Sequence, residues 1–219
     1  VDRENLGTLA GDLRFALHEP IPHDPDPSAP QGAYQTLLDC GSELRMYYRG
    51  LIPGYTGELF DGNPGEFTGV AIRNSEKSDW QYPKLNLFPG APANAILFGC
   101  VETHNFAPFL DRNPNCHPEE RFKAVGGIAA GNGLFAFYSS DGFHWKRYTK
   151  HPVVGMNPEM IFSFDSQNVV FYSENEKRYL LYYRVYKTVS GEPLRAVARA
   201  ESVDFLHWSN HTLINMNRP

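Results

Sequence analysis

Phe135-Ala136-Phe137-Tyr138-Ser139-Ser140-Asp141-Gly142-Phe143-His144-Trp145 is an apolar run that stops at a polar turn and ends on a tryptophan. Aromatic residues suit a half-buried pleated surface. Asp141-Gly142 suits a tight turn, because glycine tolerates positive φ at low cost. The same shape occurs twice more. Val70-Ala71-Ile72-Arg73-Asn74-Ser75 leads to Trp80, and Ala196-Val197-Ala198-Arg199-Ala200-Glu201-Ser202 leads to Trp208. The three tryptophans stand 65 and 63 residues apart. Self-similarity at a near-constant period marks a repeated supersecondary unit.

The segments before each run also match. Leu44–Arg49, Arg121–Val125 and Arg178–Arg184 read as strands, and Tyr34–Asp39, Phe106–Asp111 and Asn168–Tyr172 precede them across polar turns. Each unit is therefore strand, turn, strand, loop, strand, then a tryptophan turn into a fourth strand. Four antiparallel strands repeated radially describe a blade of a β-propeller. The expected architecture is all-β and a single domain over 1–219, with blades near 33–90, 96–157 and 162–216. A leading strand is expected at Leu13-Arg14-Phe15-Ala16-Leu17, and a short helical turn at Pro118-Glu119-Glu120. Rings of such blades hold roughly four to eight, so three units predict part of a larger ring. The alternative is a β-sandwich with coincidental spacing.

Composition narrows the function classes. The formal net charge is −5 and no basic run exists, which argues against a nucleic-acid partner, since phosphate contacts need clustered Lys and Arg. No stretch approaches the roughly 18 apolar residues of a membrane-spanning helix. The chain opens at Val1 without a charged-then-apolar leader, as in a processed, secreted or periplasmic protein or a piece of a longer one. Cys40, Cys100 and Cys116 are odd in number and form no CxxC pair, so neither a disulfide framework nor a zinc knuckle is indicated. His23, His117 and His151 lack ligand spacing, and no metal or cofactor is expected. The glycines at 126, 127, 131 and 133 precede no helix, so a phosphate cradle is not expected.

Ser140-Asp141-Gly142-Phe143-His144-Trp145 resembles the Ser-x-Asp-Gly-x-x-Trp turn of five-bladed glycoside hydrolases and the Asp-box of six-bladed sialidases. Ala107-Pro108-Phe109-Leu110-Asp111-Arg112-Asn113-Pro114 with Glu120-Arg121-Phe122-Lys123, and Phe164–Val170 with Arg178-Tyr179, resemble bacterial propellers of the family 32, 43 and 117 type. The resemblance runs from about Leu13 to Met216. It implies a five-bladed ring and an activity on plant or algal glycans. Two turns depart from the pattern: those ending at Trp80 and Trp208 lack the glycine. Asp24-Pro25-Asp26-Pro27 is the nearest approach to the Asp-Pro that opens the first blade of family-43 enzymes, but it lies far before Tyr34.

In such propellers the starts of the innermost strands converge at one mouth of a central funnel. Here those starts are Ala33-Tyr34-Gln35, Glu102-Thr103-His104-Asn105 and Asp165-Ser166-Gln167-Asn168. Polar groups directly before apolar strands need partners or a function. Glycoside hydrolysis needs two carboxyl groups, one to protonate the leaving oxygen and one to activate water or attack the sugar. Asp165 is the first candidate, as base or transition-state stabiliser; its structural alternative is a cap on the Ser166–Gln167 turn. Glu102 is the candidate general acid; its alternative is a solvated loop residue. His104 is a candidate proton donor or hydroxyl ligand, or a satisfied structural histidine. Asn105, Gln167 and Asn168 offer paired donors and acceptors for sugar hydroxyls, with Gln35 beside them and Tyr34 as a stacking surface.

Asp111 and Asn113 fall at the far hairpin and suit a turn. Glu119, Glu120 and Arg121 suit a surface pair or a brace, and His144 and His207 are expected to face outward. Three functions stay in view: a glycosidase, a non-catalytic carbohydrate-binding propeller, and a protein-interaction propeller. Oligomeric state is not legible.

Overall fold

The computed structural model describes residues 19–22, 24–74, 78–156, 161–162, 164–189 and 191–214. The expected strand at 13–17, His23 and the residues after 214 lie outside them. The described residues form three antiparallel sheets in simple meanders. The first contains β1 (Ala33–Asp39), β2 (Leu44–Leu51), β3 (Glu66–Arg73) and β4 (Ala95–Phe98). The second contains β5 (Ala107–Leu110), β6 (Phe122–Gly126), β7 (Gly133–Ser139) and β8 (Lys146–Arg147), and β9 (Val154–Gly155) adds to β7. The third opens with β10 (Ile161–Phe162) and β11 (Val169–Ser173), both paired with β12 (Arg178–Val189), and continues through β13 (Glu192–Ser202) and β14 (Ser209–Leu213). The only helical pieces among the described residues are short 3-10 turns, including the expected one at Pro118–Glu120. The sheets are open and no ladder joins them into a closed ring.

Strands from the three sheets come together. β5 packs beside both β1 and β11, and Thr36, Pro108 and Asn168 line a shared gap of about 290 Å3. Two large cores form between neighbouring sheets. Tyr47, Val70 and Ile96 of the first sheet meet Phe106, Phe135 and Phe137. Phe109, Val125 and Leu134 of the second meet Tyr179, Leu181 and Tyr183 of the third.

The tryptophan turns are built from side-chain oxygens. Asp141 Oδ1 accepts from the N–H groups of Phe143 (2.8 Å) and His144 (2.9 Å), and Ser139 Oγ accepts from Gly142 N–H (2.9 Å). Trp145 Nε1 closes the turn on Gly142 O at 2.9 Å. The third sheet repeats this bond for bond: Asp204 holds Leu206 (2.9 Å) and His207 (2.8 Å), Ser202 holds Phe205, and Trp208 Nε1 reaches Phe205 O at 3.0 Å. His144 and His207 lie outward and pair with their own aspartates at 2.7 Å.

Phe205 takes the place of the glycine. Its φ is +72°, against +76° for Gly142. A bulky residue there costs of order 1–3 kcal/mol. The ring repays it, being fully buried against Phe109 (5.7 Å), Tyr179 (5.3 Å), Tyr148 (5.9 Å) and Trp208 (6.0 Å). Burial of a phenylalanine is worth about 1.5–3 kcal/mol and each aromatic contact about 0.5–1.5 more, so packing wins.

Each turn seats against the second strand of the preceding sheet. Tyr47 OH donates to Gly142 O at 3.1 Å, and the Arg45 guanidinium lies 4.2 Å from the Phe143 ring centroid. One sheet on, the Lys123 ammonium sits 5.6 Å from the Phe205 ring. Lys123 also pairs with Asp111 (2.7 Å) and with Tyr179 OH (3.0 Å). Burial alone would lower the Lys123 pKa, but the hydrogen bonds to Asp111 and Tyr179 outweigh it and hold the ammonium well above its ordinary value. Asp111 does serve its turn, accepting from Asn113 N–H at 2.9 Å, yet its side chain is also a buried inter-sheet anchor.

The first unit departs from the expected plan. Trp80 is followed by a lone bridge, Ile72 to Gln81, and the fourth strand starts only at Ala95, past the expected limit of 90. Pro83, Pro89 and Pro92 interrupt the interval, and proline has no N–H for a ladder. Trp80 N–H donates to Ser28 Oγ (3.0 Å), Tyr82 OH donates to Ser28 O (2.9 Å), and Arg73 pairs with Asp26 (3.5 Å). Asp26 is thus a cap at the outer part of the first sheet and contributes nothing to a site.

Phe205→Gly should relieve the backbone yet lose about 2–3 kcal/mol net, since large-to-small core changes cost about 3–5 kcal/mol; a chemical denaturation curve checks this, and a stabilised variant would contradict it. Burial tends to raise the Asp141 pKa, but the hydrogen bonds from His144, Phe143 and Ser139 prevail and bring it from 3.8 to about 2. A lowered folded-state value contributes stability above pH 3.8 that is lost as pH falls through about 2. Urea midpoints measured from pH 5 to pH 2 should therefore decline, and Asp141→Asn should flatten that decline.

Candidate functional site

A β-bulge between Ala33 and Thr36 breaks the β1–β2 register, and Tyr34 sits within it at φ +49°. Bulges re-aim side chains. Here the Tyr34 ring stands edge-on to His104, with centroids 5.4 Å apart, and the Arg49 guanidinium lies 4.6 Å from the Tyr34 ring centroid. Tyr34 OH donates to the main-chain oxygen of Asp165 at 2.6 Å. Gln167 Nε2 donates to Thr36 Oγ1 (2.6 Å) and Gln35 O (3.2 Å). The start of the first sheet is thereby tied to the segment before β11.

His104 ends a 3-10 turn (Val101–His104) and is 2% exposed. Its partners come from the first sheet. Glu66, at the head of β3 and also buried, lies 3.0 Å from Nδ1 through Oε2. Arg49, near the end of β2, approaches both ring nitrogens, at 2.7 Å from Nδ1 and 3.0 Å from Nε2, and Asp61 Oδ1 is 3.7 Å from Nε2. Glu66 accepts and Arg49 donates. The Gly62 N–H also approaches Nδ1, at 3.2 Å, so this nitrogen faces a carboxylate and two donors. Gly62 N–H and Asn63 Nδ2 donate to the Glu66 carboxylate at 3.2 and 3.4 Å, and Arg49 Nη1 is 3.6 Å from its Oε1. The imidazole thus has a buried carboxylate at one nitrogen and an exposed one at the other.

Arg49, Asp61 and Glu66 also line an open cleft of about 400 Å3, together with Gln31 and the 59–60 stretch. Spacing in sequence does not disclose this set. Arg49 looks like the charged end of a strand, and Asp61 like a loop residue. Glu66 alone leaves a signal, as a carboxylate opening the apolar run Phe67-Thr68-Gly69-Val70.

The other expected residues have different partners. Asp165 is ion-paired with Arg184 of β12. Glu102 is 1% exposed, not a solvated loop residue, and pairs with Arg147 of β8, whose guanidinium lies 4.4 Å from the Phe135 ring centroid. Asn105 is fully buried: its Nδ2 donates to Gly127 O (2.8 Å), Ser166 O (3.2 Å) and Phe164 O, and its Oδ1 accepts from Gly127 N–H (2.8 Å). Asn168, buried too, donates to Phe164 O at 3.1 Å, and Gln35 donates to Pro30 O at 3.1 Å. Glu120 accepts from Tyr148 OH at 2.6 Å, so it braces rather than decorates the surface. Among the described residues no cluster of three or more His, Cys, Asp and Glu could hold a metal ion. Cys40, Cys100 and Cys116 are free thiols, and burial with the neighbouring Glu102 pushes Cys100 up to about 12.

No family model and no curated protein matches the chain. Among the solved structures that share its fold are the following two. A complex of BT0996 with RGII superposes with a TM-score of 0.54 at 13% identity, over 86% of this protein and 59% of that one. A structure named glycoside hydrolase gives 0.53 at 12% identity, over 86% of this protein and 59% of that one. The sequence therefore spans 59% of the length of each.

Asn105→Ala would strand the Gly127 N–H and remove the donor shared by three carbonyls. Each buried group left unpaired costs about 1–3 kcal/mol, so the variant should lose at least about 3 kcal/mol by thermal or urea unfolding; an unchanged midpoint would refute the staple.

Proposed function

We propose that this protein is part of a carbohydrate-active β-propeller, the three sheets being blades of a larger ring, and that the cleft beside His104 hydrolyses a glycosidic bond by acid–base chemistry. One observation carries the proposal: two carboxylates, Glu66 and Asp61, approach opposite nitrogens of one imidazole at 3.0 and 3.7 Å, and both line the same cleft. Glycoside hydrolysis uses two carboxyl groups, one to protonate the leaving oxygen and one to activate water or attack the sugar. The fold shared with a structure named glycoside hydrolase and with the BT0996–RGII complex supports the class of substrate.

In this reading the buried Glu66–His104 pair holds the proton that passes to the leaving oxygen. Asp61, at the mouth, takes a proton from the water that attacks the sugar carbon. The C–O bond breaks as the new one forms, and the two protons balance. Arg49 keeps Glu66 compensated, and Tyr34 fixes the imidazole edge. Asp165 and Glu102, the carboxylates first expected to act, are assigned supporting roles through Arg184 and Arg147. Gln35, Asn105, Gln167 and Asn168 hold the converging strand starts rather than the sugar.

General acid–base groups contribute about 10²–10⁴-fold each. Reducing-end release from plant cell-wall oligosaccharides should accordingly fall at least about 100-fold in Asp61→Asn and in Glu66→Gln, with folding intact by circular dichroism. Binding without turnover in the unaltered protein would favour the non-catalytic carbohydrate-binding alternative, and neither binding nor turnover would overturn both.

A further inference from the structure

The wall of the cleft says what kind of sugar fits. The segment between β2 and β3 rises over the Glu66 carboxylate and carries Leu59 at 71% and Phe60 at 54% exposure, with Leu51 at 42% beside them. Three large apolar side chains on one rim of a polar cleft are a departure from an ordinary surface, where such residues scatter singly. The segment is braced. Asn63 N–H and Nδ2 both donate to Phe60 O (3.0 and 2.8 Å), Gly65 N–H donates to Asn63 Oδ1 (3.0 Å), and Ile52 N–H donates to Gly65 O (2.9 Å). The Tyr55 ring fills the space over Gly57 and Gly65, where a Cβ would come within 2.3 and 2.6 Å of it. Phe60 is thus presented by a fixed backbone while its own side chain is left in solvent.

Charge narrows the choice. Among the described lining residues Arg49 is the only Lys or Arg, and it lies 3.6 Å from Glu66, itself buried. That pair compensates itself. The charge left at the mouth is Asp61, whose side chain is 59% exposed. An anionic sugar would be set against an uncompensated carboxylate, while an uncharged one would bring hydroxyl donors to it.

We propose that Phe60 is the stacking platform of this cleft and that the cleft selects an uncharged sugar ring, whose apolar face lies on Phe60 and whose hydroxyls reach Asp61 and Gln31. The assignment rests on the carbohydrate reading above and deepens it. Because Phe60 is exposed and its main-chain oxygen makes the loop contacts, Phe60→Ala leaves the loop bonds in place, and Phe60→Tyr restores a ring.

Isothermal titration with a neutral galacto-oligosaccharide and with an oligogalacturonate of equal length tests both parts. The unaltered protein should bind the neutral probe and bind the uronate at least about tenfold more weakly. Phe60→Ala should weaken neutral binding by about five- to tenfold and Phe60→Tyr should recover it. Asp61→Asn should narrow the gap between the two probes. Neutral binding unaffected in Phe60→Ala overturns the platform while leaving the carbohydrate reading intact. Equal or tighter uronate binding by the unaltered protein overturns the selectivity. Binding of neither probe overturns the inference together with the reading under it.

Discussion

A carboxylate accepting two consecutive main-chain N–H groups organises this molecule. Asp141 and Asp204 each do so, and in each case the serine two residues earlier caps a third N–H. A charged acceptor makes these bonds stronger than neutral ones. They shape the turn before any inter-sheet packing is added. The shaped turn then offers its apolar top to the sheet before it: Phe143 to Arg45, Phe205 to Phe109 and Tyr148. The strands supply the surface area, but the turns set how one sheet meets the next.

The same logic explains where the polar groups at the strand starts go. Once the sheets are locked at their outer turns, the inner starts are brought close, and main-chain carbonyls from 164–166 and Gly127 face one another without ladder partners. Asn105 satisfies them with one amide, and Tyr34 takes the Asp165 carbonyl. Two of the polar side chains suggestive of a sugar site are therefore consumed by the backbone. A second polar cluster stands one step out, on β2, β3 and the segment between them, where Arg49, Asp61 and Glu66 converge on His104.

Glu66 and His104 show what burial demands of polar groups. A carboxylate and an imidazole removed from water need several partners each, and this pair has them in Gly62, Asn63 and Arg49. Such a set holds both side chains in one geometry. Asp61, by contrast, keeps its side chain 59% exposed.

The recurrence of three units, the strand order within each, the turn chemistry at Asp141 and the outward histidines were legible in the residues alone, because alternation, turn residues and hydrogen-bonding side chains act over a few neighbouring positions. His104 stood out there too, as a polar residue placed directly before an apolar strand. The company each polar residue keeps was not legible there and follows from the packing of the sheets. Phe205 holds the backbone position that a glycine takes in the Asp141 turn, because a buried aromatic cluster assembled from two sheets outweighs a strained φ. Asp165 and Glu102 meet arginines 19 and 45 positions away, while Arg49 and Glu66 meet a histidine 55 and 38 positions away. Those pairings depend on how sheets pack, and packing is set by shape summed over many residues, which no local pattern encodes.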